Sequence, residues 1–241
     1  VSTNLDPPRR ALAVAAHPDD VEFGCGGTLA KWAAAGCEIF HLVCTDGSKG
    51  SWDPADDAAT LVATRQAEQR AASVALGGTG QVVFLGWRDG ELESGLRQRS
   101  EVCHWIRRLQ PDVVLGHDPW KRYRLHPDHR HAGFLAVEGI VAARDPHFFP
   151  EQGDAPHRPS RLLLWEADEP DHTEDIGPTV ERKIAALLEH RSQYRTTMDV
   201  DDHGSADQLQ AFREKIRNRA ADAGAGEGFA YGEQFKLITK L

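Results

Sequence analysis

The sequence predicts an α/β fold with a mainly parallel sheet, and three observations carry that reading. Short continuous apolar runs recur through the first half of the chain, near residues 11, 38, 82 and 112. A segment of helical length and composition separates each run from the next, and polar groups rather than apolar ones follow each run. With 241 residues the chain fits one unit of this class, so residues 1–241 are read as a single domain. It is expected to be Rossmann-like, a parallel sheet with helices on both faces.

Taken in order, Ala11-Leu12-Ala13-Val14-Ala15-Ala16 is the first strand, apolar throughout as a doubly covered strand must be. The Gly24-Cys25-Gly26-Gly27 run opens a helix through Trp32 and Ala35, which Gly36 stops. Glu38 to Cys44 is the second strand, and Ala58 to Leu76 is a helix halted by Gly77-Gly78. Val82 to Leu85 is the third strand, Leu96 to Leu109 a helix, and Asp112 to Gly116 the fourth strand. Pro127 to Ala143 is helical, with proline in the first turn, where its missing N–H costs nothing. Beyond it the pattern loosens. Asp145 to Ser160 reads as a surface loop, Leu162 to Trp165 and Phe235 to Ile238 as strands, and Thr179 to Tyr194 and Asp207 to Ala221 as helices.

The formal charge of −9 argues against a nucleic-acid binder, which needs surplus cations to displace counterions. A local basic patch is still conceivable, for instance around Lys121-Arg122-Tyr123-Arg124. Cys25, Cys37, Cys44 and Cys103 form no CxxC pair and read as scattered thiols, mostly buried, of a reducing compartment. No apolar run approaches the length of a membrane span, and the opening residues lack the basic-then-apolar profile of a signal peptide, so the cytoplasm is the expected location. The sequence leaves open whether the chain forms a homo-oligomer.

Ligands of open parallel sheets bind beyond the carboxyl ends of the strands. Here those ends run into His17-Pro18-Asp19-Asp20, Thr45-Asp46, Trp87-Arg88-Asp89-Gly90 and His117-Asp118. Four of the chain's 12 histidines lie between His117 and His131, where an even spread would place fewer than one. His126 and His129, spaced i, i+3 at a helix start, share one face, and His17 and Asp20 have the same spacing after the first strand. Imidazole and carboxylate together suit zinc, and three protein ligands leave a fourth position for water. Each motif alone could be a capped turn, but both at strand ends of one sheet make coincidence a poor account. His41 reads as structural, His131 as a supporting or exposed group, and His104, His147, His157, His172 and His203 as surface residues.

The glycine run invites a dinucleotide reading with Asp46 as ribose acid, but it starts too late after the strand, and Leu29 occupies the third glycine position. Close packing of the first helix on the sheet explains the glycines better. A P-loop, a nucleophile elbow and HExxH are all absent from the sequence.

Ala16-His17-Pro18-Asp19-Asp20, then Gly26-Gly27-Thr28-Leu29, with His126-Pro127-Asp128-His129 downstream, closely resemble the LmbE-like or PIG-L family of zinc-dependent N-deacetylases. Arg65 and Glu68, Asp89-Gly90, Lys183, His190, Ser192, Gln193, Glu233 and Phe235 extend the resemblance along most of the chain. It implies zinc as cofactor, held by His17, Asp20 and His129. Asp19 would then be the general base, His126 the electrostatic or acid partner and Asp128 the carboxylate that orients it. Arg65 and Asp89 would grip sugar hydroxyls. The implied reaction is hydrolysis of the acetamide of an N-acetylated amino sugar by a water acidified by zinc, with a small amino-sugar substrate as partner. One departure is local: some members carry Tyr two residues before the first His of the second motif, where this chain has Arg124. Two further readings are weighed beside it, an amidase of the same family acting on a larger acyl group, such as a thiol conjugate, and a non-catalytic metal- or nucleotide-binding module.

Overall fold

The computed structural model describes residues 1–201 and 204–241. Its centre is one eight-stranded sheet in the order β1-β7-β8-β6-β5-β2-β3-β4. The strands are β1 (Ser2–Thr3), β2 (Arg10–Ala15), β3 (Glu38–Thr45), β4 (Val82–Trp87), β5 (Val113–His117), β6 (Arg161–Trp165), β7 (His172–Asp175) and β8 (Gly232–Ile238). The helices are α1 (Asp20–Ala34), α2 (Ala58–Ala75), α3 (Leu96–Leu109), α4 (Pro127–Arg144), α5 (Val180–Leu187), α6 (Tyr194–Thr197) and α7 (Ala206–Ala225).

Strand β2 shows why both faces must be covered. Ala11, Ala13 and Ala15 join Val21, Leu29 and Trp32 of α1 and Leu76 beyond α2 in one core. Leu12, Val14 and Ala16 join α3 and α4 in another, through Ile106, Leu135, Ala136 and Ile140. Successive side chains of a strand point to opposite faces, so an uninterrupted apolar run serves two helix layers at once. From β2 the chain moves outward through β3 and β4, then returns to β5 on the other side of β2. The direction of winding reverses between β2 and β5, which opens a crevice at their carboxyl ends.

The sheet is mixed rather than wholly parallel: β8 runs antiparallel to both its neighbours, β6 and β7. Its apolar pattern identifies it as a strand, but the direction follows from where α7 delivers the chain. Strands β1 and β7 were not expected; the two residues of β1 pair with His172 and Thr173, a match too short to leave a periodicity. His172 is correspondingly buried, not a surface residue, and its ring meets Ser2 Oγ and Glu174. His203 lies outside the described residues. The helix expected over 179–194 divides, because after α5 the chain breaks at His190, whose ring turns inward to Glu22. A third apolar cluster, with Ile176, Ile184, Met198, Phe212 and Ile216, binds α5 and α7 over the crevice. Among the described residues no helix is long and apolar enough to cross a membrane.

Helix α1 begins at Asp20, earlier than the glycine run, and is interrupted at Cys25 (φ −147°, ψ 17°). The glycines do permit close packing: a Cβ on Gly24 would lie 2.5 Å from the Trp165 ring, and one on Gly27 would lie 2.7 Å from Ile176. Gly24→Ala is therefore expected to destabilise the protein by about 1–3 kcal/mol, the usual cost of overpacking. Thermal unfolding of the variant checks this, and an unchanged melting temperature would show that Trp165 can yield at little cost.

Candidate metal and catalytic site

Strand ends on the rim of the crevice converge on one cluster. The turn after β2 supplies His17, Asp19 and Asp20, β4 leads to Asp89, β5 ends on His117, the start of α4 carries His126, Asp128 and His129, and Glu166 follows β6. These residues, His117 and Asp128 excepted, line a cavity of about 650 Å³. Its outer wall comes from the loop after β3 (Lys49, Gly50, Trp52), from Thr196 and Thr197, and from Phe212, Lys215 and Arg219 of α7.

His17 is the hub. Its Nε2 lies 3.1 Å from Asp128 Oδ2 and 3.2 Å from Asp89 Oδ1, and its Nδ1 lies 3.4 Å from Asp20 Oδ2. Burial works against its charge, but the Asp128, Asp20 and Asp89 carboxylates outweigh it and raise its pKa well above the usual imidazole value. Asp20 bridges onward, with Oδ1 3.2 Å from His129 Nε2 and Oδ2 3.2 Å from His117 Nε2. Burial would raise its pKa, yet His129 and His117 hold its carboxyl well below the ordinary range. The three residues expected to hold metal thus touch in a chain, His17 to Asp20 to His129. The groups whose ligand atoms converge within 4.8 Å are wider: His17, His126 and His129; Asp20, His117 and His129; and His17, Asp89, His126 and Asp128.

Asp19 stands beside this chain in a different backbone state, φ 99° and ψ −26°, at the cap of α1. Its carboxyl is buried and 3.7 Å from Arg65 Nη2. Burial pushes it up to about 6, with Asp20 adding to the rise and Arg65 opposing it. The adjacent Asp20, one residue along, is pushed the other way.

Several expectations take a different form. Asp128 was expected to orient His126 with its carboxylate; instead that carboxylate bonds His17 and accepts the Gly90 and Leu92 N–H groups at 2.6 and 3.2 Å. What it offers His126 is its own backbone N–H, donated to His126 Nδ1 at 3.3 Å. Burial, then His17 and His129, lower the pKa of His126 despite Asp128 and Asp89, so the ring is neutral with its proton on Nε2. Arg65 is buried, and its guanidinium donates to the Gly47 and Pro18 carbonyls at 2.9 and 2.7 Å. Asp89 meets His17 and accepts the Lys49 N–H at 3.0 Å, which places it within the metal-competent cluster rather than apart from it. The basic stretch at 121–124 is no patch: Lys121 donates to the Glu166 carbonyl, Arg122 pairs with Asp168, and Arg124 is buried against Glu166 at 2.8 Å.

His117 joins the site without having been singled out as a ligand. The Trp165 indole N–H donates to His117 Nδ1 at 3.0 Å, and an indole can only donate, so the imidazole proton sits on Nε2 and points at Asp20. That pairing depends on β5 and β6 lying side by side with His117 opposite Trp165. A strand end reading finds His117; only the sheet order finds its partner.

The pattern of the family described as GlcNAc-PI de-N-acetylase (PIG-L) matches residues 12–140. The chain is 30% identical over 236 residues to a diacetylchitobiose deacetylase of Thermococcus kodakarensis, covering 97% of this chain and 84% of that enzyme. It is 35% identical over 164 residues to a 1D-myo-inositol 2-acetamido-2-deoxy-alpha-D-glucopyranoside deacetylase of Actinosynnema mirum, a match spanning 58% of this chain and 57% of that enzyme. Among solved structures, the N,N'-diacetylchitobiose deacetylase from Pyrococcus horikoshii superposes with a TM-score of 0.86 at 31% identity, over 96% of this chain and 84% of that one. The chain belongs to the PIG-L family.

The raised pKa values of His17 and His129 imply that a cation entering the cluster displaces protons. Calorimetric titration with Zn²⁺ at pH 7 in two buffers of different ionisation enthalpy is expected to show net proton release. Identical heats in both buffers would show that the imidazoles were already neutral.

Proposed function

We propose that this member of the family is a metal-dependent hydrolase that removes the acetyl group from the amide nitrogen of an N-acetylated amino sugar. The observation that carries the reading is the convergence of imidazole nitrogens and carboxylate oxygens within 4.8 Å at the floor of a cavity, with a separate buried carboxyl, Asp19, beside them. Such a donor set suits zinc. His17, Asp20 and His129 would hold it, and bound there it supplies Lewis acidity, acidifying water and polarising a carbonyl.

The chain's own residues supply the rest. Asp19, with a pKa near 6, is poised to take a proton from the attacking water at neutral pH. As the oxygen–carbon bond forms, negative charge gathers on the former carbonyl oxygen, and the Nε2–H of neutral His126 is the donor suited to meet it. The nitrogen leaves after protonation by Asp19, now a carboxylic acid, and the products are acetate and a free amine. Of the five N–H donors of a guanidinium, Arg65 commits two to backbone carbonyls and buries its Nε–H, and the remaining Nη–H groups, with Asp89, recognise sugar hydroxyls from the cavity floor. Farther out, exposed Trp52 with Phe212, Lys215 and Arg219 leaves room for a second ring or a polar aglycone, in keeping with the disaccharide named for the Pyrococcus enzyme.

Zinc-loaded protein is expected to release acetate from N,N'-diacetylchitobiose or from another N-acetylglucosamine conjugate. Release of a larger acid only, from an acyl-amide panel, would favour the amidase reading. His129→Ala should lose most bound zinc by elemental analysis, and full occupancy in that variant would remove His129 from the ligand set. Asp19→Asn should retain zinc and fold while losing roughly 10²–10⁴ in kcat. Near wild-type turnover with zinc bound would falsify the assignment of Asp19 as base.

A further inference from the structure

Asp19 is held in a backbone conformation that L-residues rarely adopt, φ 99°, and the peptide unit that sets this angle is gripped at both polar ends. Arg65 Nη2 donates to the Pro18 carbonyl at 2.7 Å, and Gln69 Oε1 accepts the Asp19 N–H at 2.9 Å. These are the C=O and N–H of one and the same peptide plane. Arg65 and Gln69 stand one turn apart on α2, so a single helix face presents both jaws.

Gln69 has no exposed surface, and its remaining polar atom is fully used: Nε2 donates to Glu22 Oε1 at 2.8 Å and to His41 Nδ1 at 3.1 Å. The carboxylate and the backbone N–H at opposite ends leave the amide only one orientation. Glu22 is in turn held by His190 Nε2 at 3.2 Å, and none of Glu22, His41 and His190 is exposed. Only the outer ring nitrogens of this buried polar chain, His41 Nε2 and His190 Nδ1, are without a partner, and nothing in it touches the cavity.

We propose that Gln69 is a positioning residue for the reaction: locked by Glu22, it holds the Pro18–Asp19 peptide so that the Asp19 carboxyl faces the cavity while Asp20 faces the imidazoles. This rests on Asp19 being the base. Freed of the Gln69 acceptor, the Asp19 N–H is left buried without a partner, and the peptide rotates toward a relaxed φ that swings the carboxyl away from the attacking water. Misplacement of about 1 Å at a reacting group can cost up to about 10²-fold in rate.

The test is a double-mutant cycle on zinc-loaded enzyme, assayed by acetate release. Gln69→Met is expected to lower kcat roughly tenfold to a hundredfold, with KM and zinc content near wild type. In the Asp19→Asn background the same change should cost little more, because the group being positioned is already gone. Gln69→Asn, smaller and still polar but too short to reach both partners, should behave as Gln69→Met and serves in its place if the methionine variant does not fold. A folded Gln69→Met or Gln69→Asn with wild-type kcat overturns the proposal, as does an equal loss in the Asp19→Asn background. Asp19→Asn alone retaining turnover would instead strike at the base, a separate result.

Discussion

A carboxylate without exposed surface can stay ionised only where donors meet both of its oxygens, and Asp128 is the one on which this site depends. It takes the His17 ring from the turn after β2 and the N–H groups of Gly90 and Leu92 from the loop after β4, while its own N–H reaches His126. Two separate stretches of chain are therefore registered on one side chain at the first turn of α4, and the N–H of the same residue fixes a third group beside it. The position suits it: the start of a helix offers unpaired N–H groups and favours negative charge. Burial works against ionisation, yet His17 and the Gly90 N–H keep the Asp128 pKa below its usual value. Remove the carboxylate and the His17 ring loses the contact that contributes most to its charge.

Around this point the cluster alternates in sign. Asp128 and Asp89 face His17, His17 faces Asp20, and Asp20 faces His129. Each group is buried or nearly so, and each finds its opposite within hydrogen-bonding distance or slightly beyond it. An assembly of this kind is more than a set of ligands. The outer contacts, Trp165 on His117 and Glu166 with Arg124 beyond it, hold the rings in place, the kind of support that would set how strongly a cation binds there.

How much of this the sequence discloses depends on whether a signal is local. The strands of the first half, with their apolar runs, and the i, i+3 pairs at His17 and Asp20 and at His126 and His129 are local, and they locate both the fold class and the floor of the cavity. The inner face of α2 is not local in that sense. Its buried positions include Arg65, Gln69 and Ser73, so the face that packs inward is largely polar and hydrophobic periodicity does not mark it. Arg65 is buried there and donates to two backbone carbonyls, partners that no sequence spacing announces. The antiparallel entry of β8 and the pairing of His117 with Trp165 depend on which strands lie side by side, a fact of tertiary order.

The pair Asp19 and Asp20 shows where the line falls most sharply. Two identical side chains in sequence have no chemical reason to titrate differently, yet one is pushed up to about 6 and the other is held far down. The difference arises in the backbone. Asp20 begins the helix with ordinary geometry, and its carboxylate folds back to accept the His17 N–H at 2.8 Å among the imidazoles. The left-handed turn at Asp19 sends its carboxyl to the other side, toward Arg65 and away from those rings. A glycine would take that φ without strain but would bring no carboxyl. The chain keeps the aspartate and accepts the strain, and the contacts from α2 are what make the conformation tenable. The two environments are thus set by one peptide plane, and the residues that hold that plane are as much a part of the cluster as those that face the cavity.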